Sequence, residues 1–184
     1  MATRTRPQQL VIDVAVSAEW KRALRTSAAV CKRAAVAAFS AVAAGRKPKS
    51  PAIELAIVLT SDAAVKKLNA LYRGKNKATD VLSFPAWSGA GAGDAREAIL
   101  GDVVIAKGVT ARDAKTENKP LEEHLTHLVV HGVLHLLGYD HEQDRDARAM
   151  ERLEISVLKD LDIANPYLVR EKAGARQKPA PRRR

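Results

Sequence analysis

All five histidines of this 184-residue chain lie between positions 124 and 141. His131 and His135 are four residues apart, so on a helix they share one face, where two imidazoles can bind one metal ion. Gly138 follows and permits a left-handed turn, which can bring His141 back as a third nitrogen ligand. Three protein ligands and one open position are typical of a catalytic zinc. The spacing therefore predicts a helix and turn that bind one divalent metal, for which we expect zinc.

Two more histidines precede this pair on the same helix face. His124, His127, His131 and His135 fall within an arc of about 80° at 100° per residue. His124 and His127 are therefore expected to face the same cleft. Two readings stay open: they touch substrate or support the ligands from behind, or they are polar residues at a wet rim.

The run from His131 to His141 has the ligand spacing of metzincin proteases, H-x-x-x-H-x-x-G-x-x-H. Those proteases carry a catalytic glutamate directly after the first histidine, and here that position is Gly132. A glycine cannot take a proton from water, so peptide hydrolysis by the usual protease route is not expected. Asp140 is a candidate proton acceptor; alternatively, it caps the turn or orients a ligand imidazole.

Strands and helices interleave along the chain, which predicts an α/β or α+β class with one small sheet. Segments that are rich in β-branched residues or that alternate apolar and polar residues predict strands at 10–16, 53–60, 81–84 and 100–106. Helices are expected at 20–44, 61–71, 108–116, from Pro120 to just before Gly138, and at 144–161. Ser61 is the expected N-cap of the second helix. The Gly/Ala-rich segment 88–94 is expected to be a mobile loop.

Positive charge is concentrated at the C-terminus. Net charge is +10, and positions 170–184 hold seven basic residues against one acid. We expect one domain over residues 1–169 and a disordered basic tail over 170–184 that binds polyanions such as RNA. An inert tail that only aids solubility is the alternative. The candidate RNA-binding residues of the tail are Arg176, Lys178, Arg182, Arg183 and Arg184.

The N-terminal sequence and the single cysteine indicate in which cellular compartment the protein is expected. A polar start without a long apolar run gives no secretory signal, and Lys32 and Arg33 interrupt the Ala/Val-rich stretch, so a cytoplasmic protein without membrane contact is expected. A lone cysteine, Cys31, precludes an internal disulfide and lies in an apolar run. It is expected to be an inert buried thiol.

The run HGVLHLLGYDH at 131–141 closely resembles the YbeY family of bacterial endoribonucleases. Further blocks resemble that family in the same order: LYR at 71–73, ATDVLSFP at 78–85, LGDVVI at 100–105 and NPY at 165–167. The resemblance covers residues 10–169. The basic tail and the segment 88–94 are not part of it.

The resemblance implies an α+β fold in which a small mixed sheet of about four strands packs with about five helices, and the metal-binding helix resembles that of metalloproteases. It implies a zinc-dependent, single-strand-specific endoribonuclease that acts in rRNA processing, notably 16S 3′-end maturation, and in ribosome quality control. Its implied partners are RNA, the ribosome and ribosome-assembly proteins. The family links Arg73 and His131 to activity.

Two other functions stay open at this point: a metallopeptidase, suggested by the ligand spacing, and a non-catalytic ribosome-associated zinc protein. For an endoribonuclease, the attacking group is either a metal-activated water or the ribose 2′-OH, and the sequence does not choose between them.

Overall fold

The computed structural model describes residues 9–43, 52–86, 99–140 and 144–167. Its strands are β1 (Gln9–Val16), β2 (Ala52–Thr60), β3 (Val81–Pro85) and β4 (Ile99–Ala106). The helices in these ranges are α1 (Ala18–Ala23), α2 (Ser27–Ala43), α3 (Asp62–Arg73), α4 (Lys107–Thr116), α5 (Leu121–Leu136) and α6 (Asp144–Asp160). The prediction of an α+β fold with one small sheet of four strands is confirmed.

The sheet has the strand order β1-β2-β4-β3. The first three strands in this order pair in parallel, whereas β3 pairs antiparallel to β4. Parallel neighbours need crossover connections, and helices α1 and α2 provide the one between β1 and β2. The short strand β3 lies at one edge of the described sheet, and the candidate site is built around this edge.

Apolar residues cover both faces of the sheet because successive side chains of a strand point to opposite sides. On one face, Leu55, Ile57 and Ile105 belong to the large core that includes residues of α2, α5 and α6. On the other face, Leu82 and Val104 pack with Val65 of α3 in a smaller cluster. Helices α5 and α3 therefore lie on opposite faces of the sheet.

The prediction of one continuous helix over residues 20–44 is wrong. The chain forms α1 and α2 instead, and Leu24 between them is extended, with φ −148° and ψ 101°. A continuous helix of this length would measure about 38 Å, longer than the strands of eight and nine residues beneath it. The break lets Trp20, which is fully buried, reach the same core as α2.

Local signals elsewhere act as expected. The Ser61 hydroxyl accepts a hydrogen bond from the amide of Ala64 at 3.3 Å, so the predicted N-cap of α3 is confirmed. Cys31 is buried, and burial raises the pKa of its thiol to about 12, which agrees with an inert thiol. The predicted loop 88–94 and the tail 170–184 lie outside the described residues. Within the described ranges, every helix is too short or too polar to cross a bilayer.

Candidate metal centre

His131 and His135 lie side by side on α5 with their Nε2 atoms 3.1 Å apart. Their ring planes are nearly perpendicular, at 82°, with centroids 4.6 Å apart. Two nitrogens bound to one tetrahedral zinc at about 2.0–2.1 Å would be about 3.3 Å from each other. The pair is therefore close to the separation that one shared ion requires. The side chain of His131 is 24% exposed, so an ion there could be reached from solvent.

The third predicted ligand, His141, lies outside the described residues. In the ranges that are described, no group of three histidine, cysteine, aspartate or glutamate side chains is placed to hold a metal. The chain does turn after α5 as the prediction requires. Gly138 has a φ of +89°, and the amide of Tyr139 donates to the carbonyl of Leu134 at 3.0 Å. His141 as a ligand stays a prediction.

A buried carboxylate stands behind the histidine pair. Glu154 of α6 is 0% exposed, and its Oε1 lies 2.6 Å from Nδ1 of His131. With its Nδ1–H donated to this carboxylate, a neutral His131 carries a lone pair on Nε2, the atom 3.1 Å from Nε2 of His135. Carboxylate–histidine pairs of this kind fix the tautomer and the ring orientation of metal ligands.

The other carboxylate oxygen of Glu154, Oε2, has two further contacts. The hydroxyl of Tyr167 donates to Oε2, and Nε2 of His127 lies 3.6 Å from the same atom. Burial raises the pKa of a carboxyl, but the contacts with His127, His131 and Tyr167 outweigh burial and lower the pKa of Glu154 to about 2. The core beside the histidine pair thus holds one negative charge, which favours a nearby cation.

The two upstream histidines occupy different surroundings. His127 faces Glu154, and its side chain is 19% exposed. His124 is buried, with Nδ1 3.9 Å from Oε2 of Glu117, and burial lowers the pKa of its imidazole. His124 is therefore not a polar residue at a wet rim, which was one of the two interpretations of the sequence. Asp140 is exposed in the turn one residue before His141.

At Gly132, α5 packs directly against the sheet. A Cβ at this position would be 2.7 Å from Cγ1 of Val103 on β4, and the hydroxyl of Ser83 on β3 donates to the Gly132 carbonyl at 3.2 Å. A side chain here would point at the sheet and collide with it. The glycine thus allows close helix–sheet packing, and a glutamate of the protease type has no room at this position.

Arg73 is exposed in the last turn of α3, on the opposite face of the sheet from α5. The ring of the preceding residue, Tyr72, lies 5.0 Å from that of Phe84 on β3. The residue before Phe84 in β3, Ser83, points to the other face of the sheet and donates a hydrogen bond to the carbonyl of Gly132, which is adjacent to His131. Arg73 and the histidines therefore flank the same edge strand, and no hydrogen bond or ion pair joins them within the described residues.

The sequence patterns did not predict the roles of Glu154 and Tyr167. A signal for Glu154 exists in α6: Met150, Val157 and Leu158 form its buried stripe, and Glu154 falls within it at helical spacing. A carboxylate inside an apolar stripe requires a buried partner. Tyr167 lies beyond the helix, where no periodicity indicates the direction of its side chain.

The sheet and the paired imidazoles define a class: a small α+β protein with a histidine helix of the kind found in metal-dependent hydrolases. The chain belongs to the endoribonuclease YbeY family, because the model of that family, described as Endoribonuclease YbeY, matches residues 17–162. The resemblance noted in the sequence is thereby confirmed, and the family's name denotes RNA-cleaving hydrolases.

Individual relatives agree. An Endoribonuclease YbeY of Sphingopyxis alaskensis is 42% identical over a match of 167 residues, and the match covers 86% of this chain and 97% of the relative. One from Rhodopseudomonas palustris strain BisB18 is 50% identical over 131 residues, covering 71% of this chain and 78% of the relative. The solution structure of TM1509 from Thermotoga maritima shares the fold, with a TM-score of 0.52 at 20% identity, over 94% of this chain and 100% of that one.

Proposed function

We propose that this chain is a metal-dependent endoribonuclease that hydrolyses single-stranded RNA, with one zinc ion per chain. The observation that carries the proposal is the pair of Nε2 atoms of His131 and His135, 3.1 Å apart and supported by the buried, charged Glu154. Family membership supplies the substrate class, because the relatives are named endoribonucleases.

Each residue of the centre has a separate task in this proposal. His131 and His135 would hold the metal through Nε2, with His141 as the predicted third ligand. Glu154 keeps the proton of His131 on Nδ1, and Tyr167 and His127 keep Glu154 in place. When bound, zinc supplies a lowered pKa for coordinated water and polarises a phosphoryl oxygen.

Arg73 is the proposed electrostatic group. Negative charge gathers on the phosphoryl oxygens during cleavage, and a planar guanidinium can bind two of them at once. Because α3 and α5 lie on opposite faces, an RNA chain that meets both Arg73 and the histidines must pass over the edge at β3. Gly132 cannot accept a proton, and Asp140 remains the candidate acceptor.

The proposed biological setting is rRNA processing in the cytoplasm, with 16S 3′-end maturation and ribosome quality control as the tasks. The ribosome and ribosome-assembly proteins are the proposed partners. The basic tail would add affinity for RNA through its phosphates without selecting the cleavage site.

The test is to incubate the purified protein with single-stranded RNA, duplex RNA and casein, each with and without a chelator. We expect cleavage of single-stranded RNA only, lost with chelator and restored by zinc. Cleavage of casein would indicate a peptidase instead. A protein that holds zinc but cleaves neither polymer would be the non-catalytic ribosome-associated alternative.

A further inference from the structure

The C-terminal end of α3 exposes two large side chains that would ordinarily be buried. Leu71 is 74% exposed and Tyr72 is 64% exposed. Among the phenylalanine, tyrosine and tryptophan side chains of the described ranges, all except Tyr72 are buried or half-buried. An exposed aromatic ring of this kind is available to bind a ligand.

The surroundings of Tyr72 are strongly basic. Positions 66–79 hold five lysine or arginine residues and no acid. Arg73, Lys75 and Lys77 are exposed, and none of them forms an ion pair within the described residues. Exposed cations around an exposed ring favour a ligand that combines negative charge with a flat apolar surface.

This surface is held in one shape by contacts beneath it. Gly74 ends α3 in the left-handed conformation, with φ +67°. The buried Asn69 then accepts the amide of Lys75 on its backbone oxygen at 3.2 Å and donates its side-chain amide to the carbonyl of Lys77 at 2.7 Å. Phe84 supports the ring of Tyr72 from the strand. Little ordering would therefore be required when a ligand binds.

We propose that Tyr72, Arg73, Lys75 and Lys77, here called the Tyr72 platform, bind single-stranded RNA, with one base stacked on the Tyr72 ring. Every base has a π face, so stacking tolerates any sequence, while the cations neutralise the backbone phosphates. Bases inside a duplex are already stacked on each other and cannot use the ring. The platform would thus favour single strands over duplexes.

The position of the platform suits a substrate of the proposed metal centre. Tyr72 contacts Phe84, and the adjacent Ser83 bonds to Gly132, the neighbour of His131. An RNA strand anchored on Tyr72 and passing over the edge of β3 would be directed toward the histidine pair. This inference rests on the proposed function for its choice of RNA and shares Arg73 with it, but Tyr72, the residue that the test changes, has no part in the proposed metal chemistry.

The test compares metal-loaded wild type, Tyr72→Ala and Tyr72→Phe in binding to a short single-stranded RNA made uncleavable by 2′-O-methyl and phosphorothioate groups. An oligonucleotide with the same backbone but no bases is the matched ligand. We expect Tyr72→Ala to weaken binding of the base-containing strand about tenfold and Tyr72→Phe to bind like wild type. Both variants should match wild type on the strand without bases.

Equal affinity of Tyr72→Ala and wild type would overturn the platform, as would an equal loss on the strand without bases. Cleavage of unmodified RNA, measured in parallel, separates the two proposals. If wild type cleaves no RNA but the ring still contributes to binding, the endoribonuclease proposal fails and the platform stands. If RNA is cleaved with the same KM by Tyr72→Ala, the platform alone fails.

Discussion

The two helices that flank the edge strand β3 differ in burial and in charge. On one side, α5 and α6 place two imidazoles against a carboxylate that is 0% exposed and negatively charged. On the other, α3 ends in an exposed ring and exposed cations. The first arrangement suits a small cation and the second a polyanion. Metal binding and RNA binding should therefore be separable by mutation.

The largest effect is expected at the histidine pair. We expect His135→Ala to remove most of the bound metal, because the remaining nitrogens hold zinc poorly. Elemental analysis of the purified variant measures this directly, with Arg73→Ala as the control that should keep its metal. Equal metal content in His135→Ala and wild type would remove His135 from the ligand set.

On the other side of β3, Arg73→Ala should leave fold and metal content unchanged and reduce RNA cleavage by about 100-fold or more, as for loss of an electrostatic clamp. Arg73→Lys keeps the positive charge but loses the planar guanidinium, so its rate of RNA cleavage should lie between those of wild type and Arg73→Ala. Full cleavage by Arg73→Ala at full metal occupancy would contradict this role.

Glu154→Gln tests the support behind the metal centre. The change removes the acceptor for the Nδ1 proton of His131 while keeping the size of the side chain. Zinc affinity should fall about 10- to 100-fold, the usual effect of losing such a partner. Glu151→Gln on the same helix is the matched control, because Glu151 has no contact with the histidines among the described residues. Competition titration against a zinc indicator measures both, and equal affinities would exclude the proposed support.

A second basic region, the tail at 170–184, should act on RNA binding alone. Truncation after Val169 should weaken RNA binding and flatten its dependence on salt concentration, because fewer counterions are released. Metal content and cleavage chemistry should not change. The same affinity and the same log–log salt slope for the truncated and full-length proteins would identify the tail as a bystander.

The smallest expected effect concerns the contact between α5 and the sheet. Gly132→Ala should reduce the free energy of unfolding by about 1–3 kcal/mol, because the new Cβ overpacks against Val103. Adding Val103→Ala should relieve this clash, so the double variant should lose less than the two single losses combined. Urea unfolding of the four proteins measures the coupling, and strictly additive losses would contradict the close contact.

Signals local in sequence predicted much of this molecule. The four-residue spacing placed His131 and His135 on one face, and Ser61 marked the start of α3. The sequence did not predict the break between α1 and α2. The break is set by tertiary packing, because it fits the two helices to the length of the strands and lets Trp20 reach the core. The contact of Glu154 with His131 joins residues 23 positions apart on different helices, so it depends on how α5 and α6 pack. The placement of Arg73 and the histidines on opposite faces of the sheet likewise depends on how α3 and α5 pack against the strands.

The central claim is that the histidine pair on α5 holds the metal on which RNA cleavage depends. The most direct measurement is the metal content of the purified protein, followed together with its cleavage of single-stranded RNA through removal and stepwise return of zinc. We predict that activity disappears with the metal and returns in proportion to it, reaching its maximum at one zinc per chain. Metal-free protein that cleaves RNA at the full rate would contradict this account.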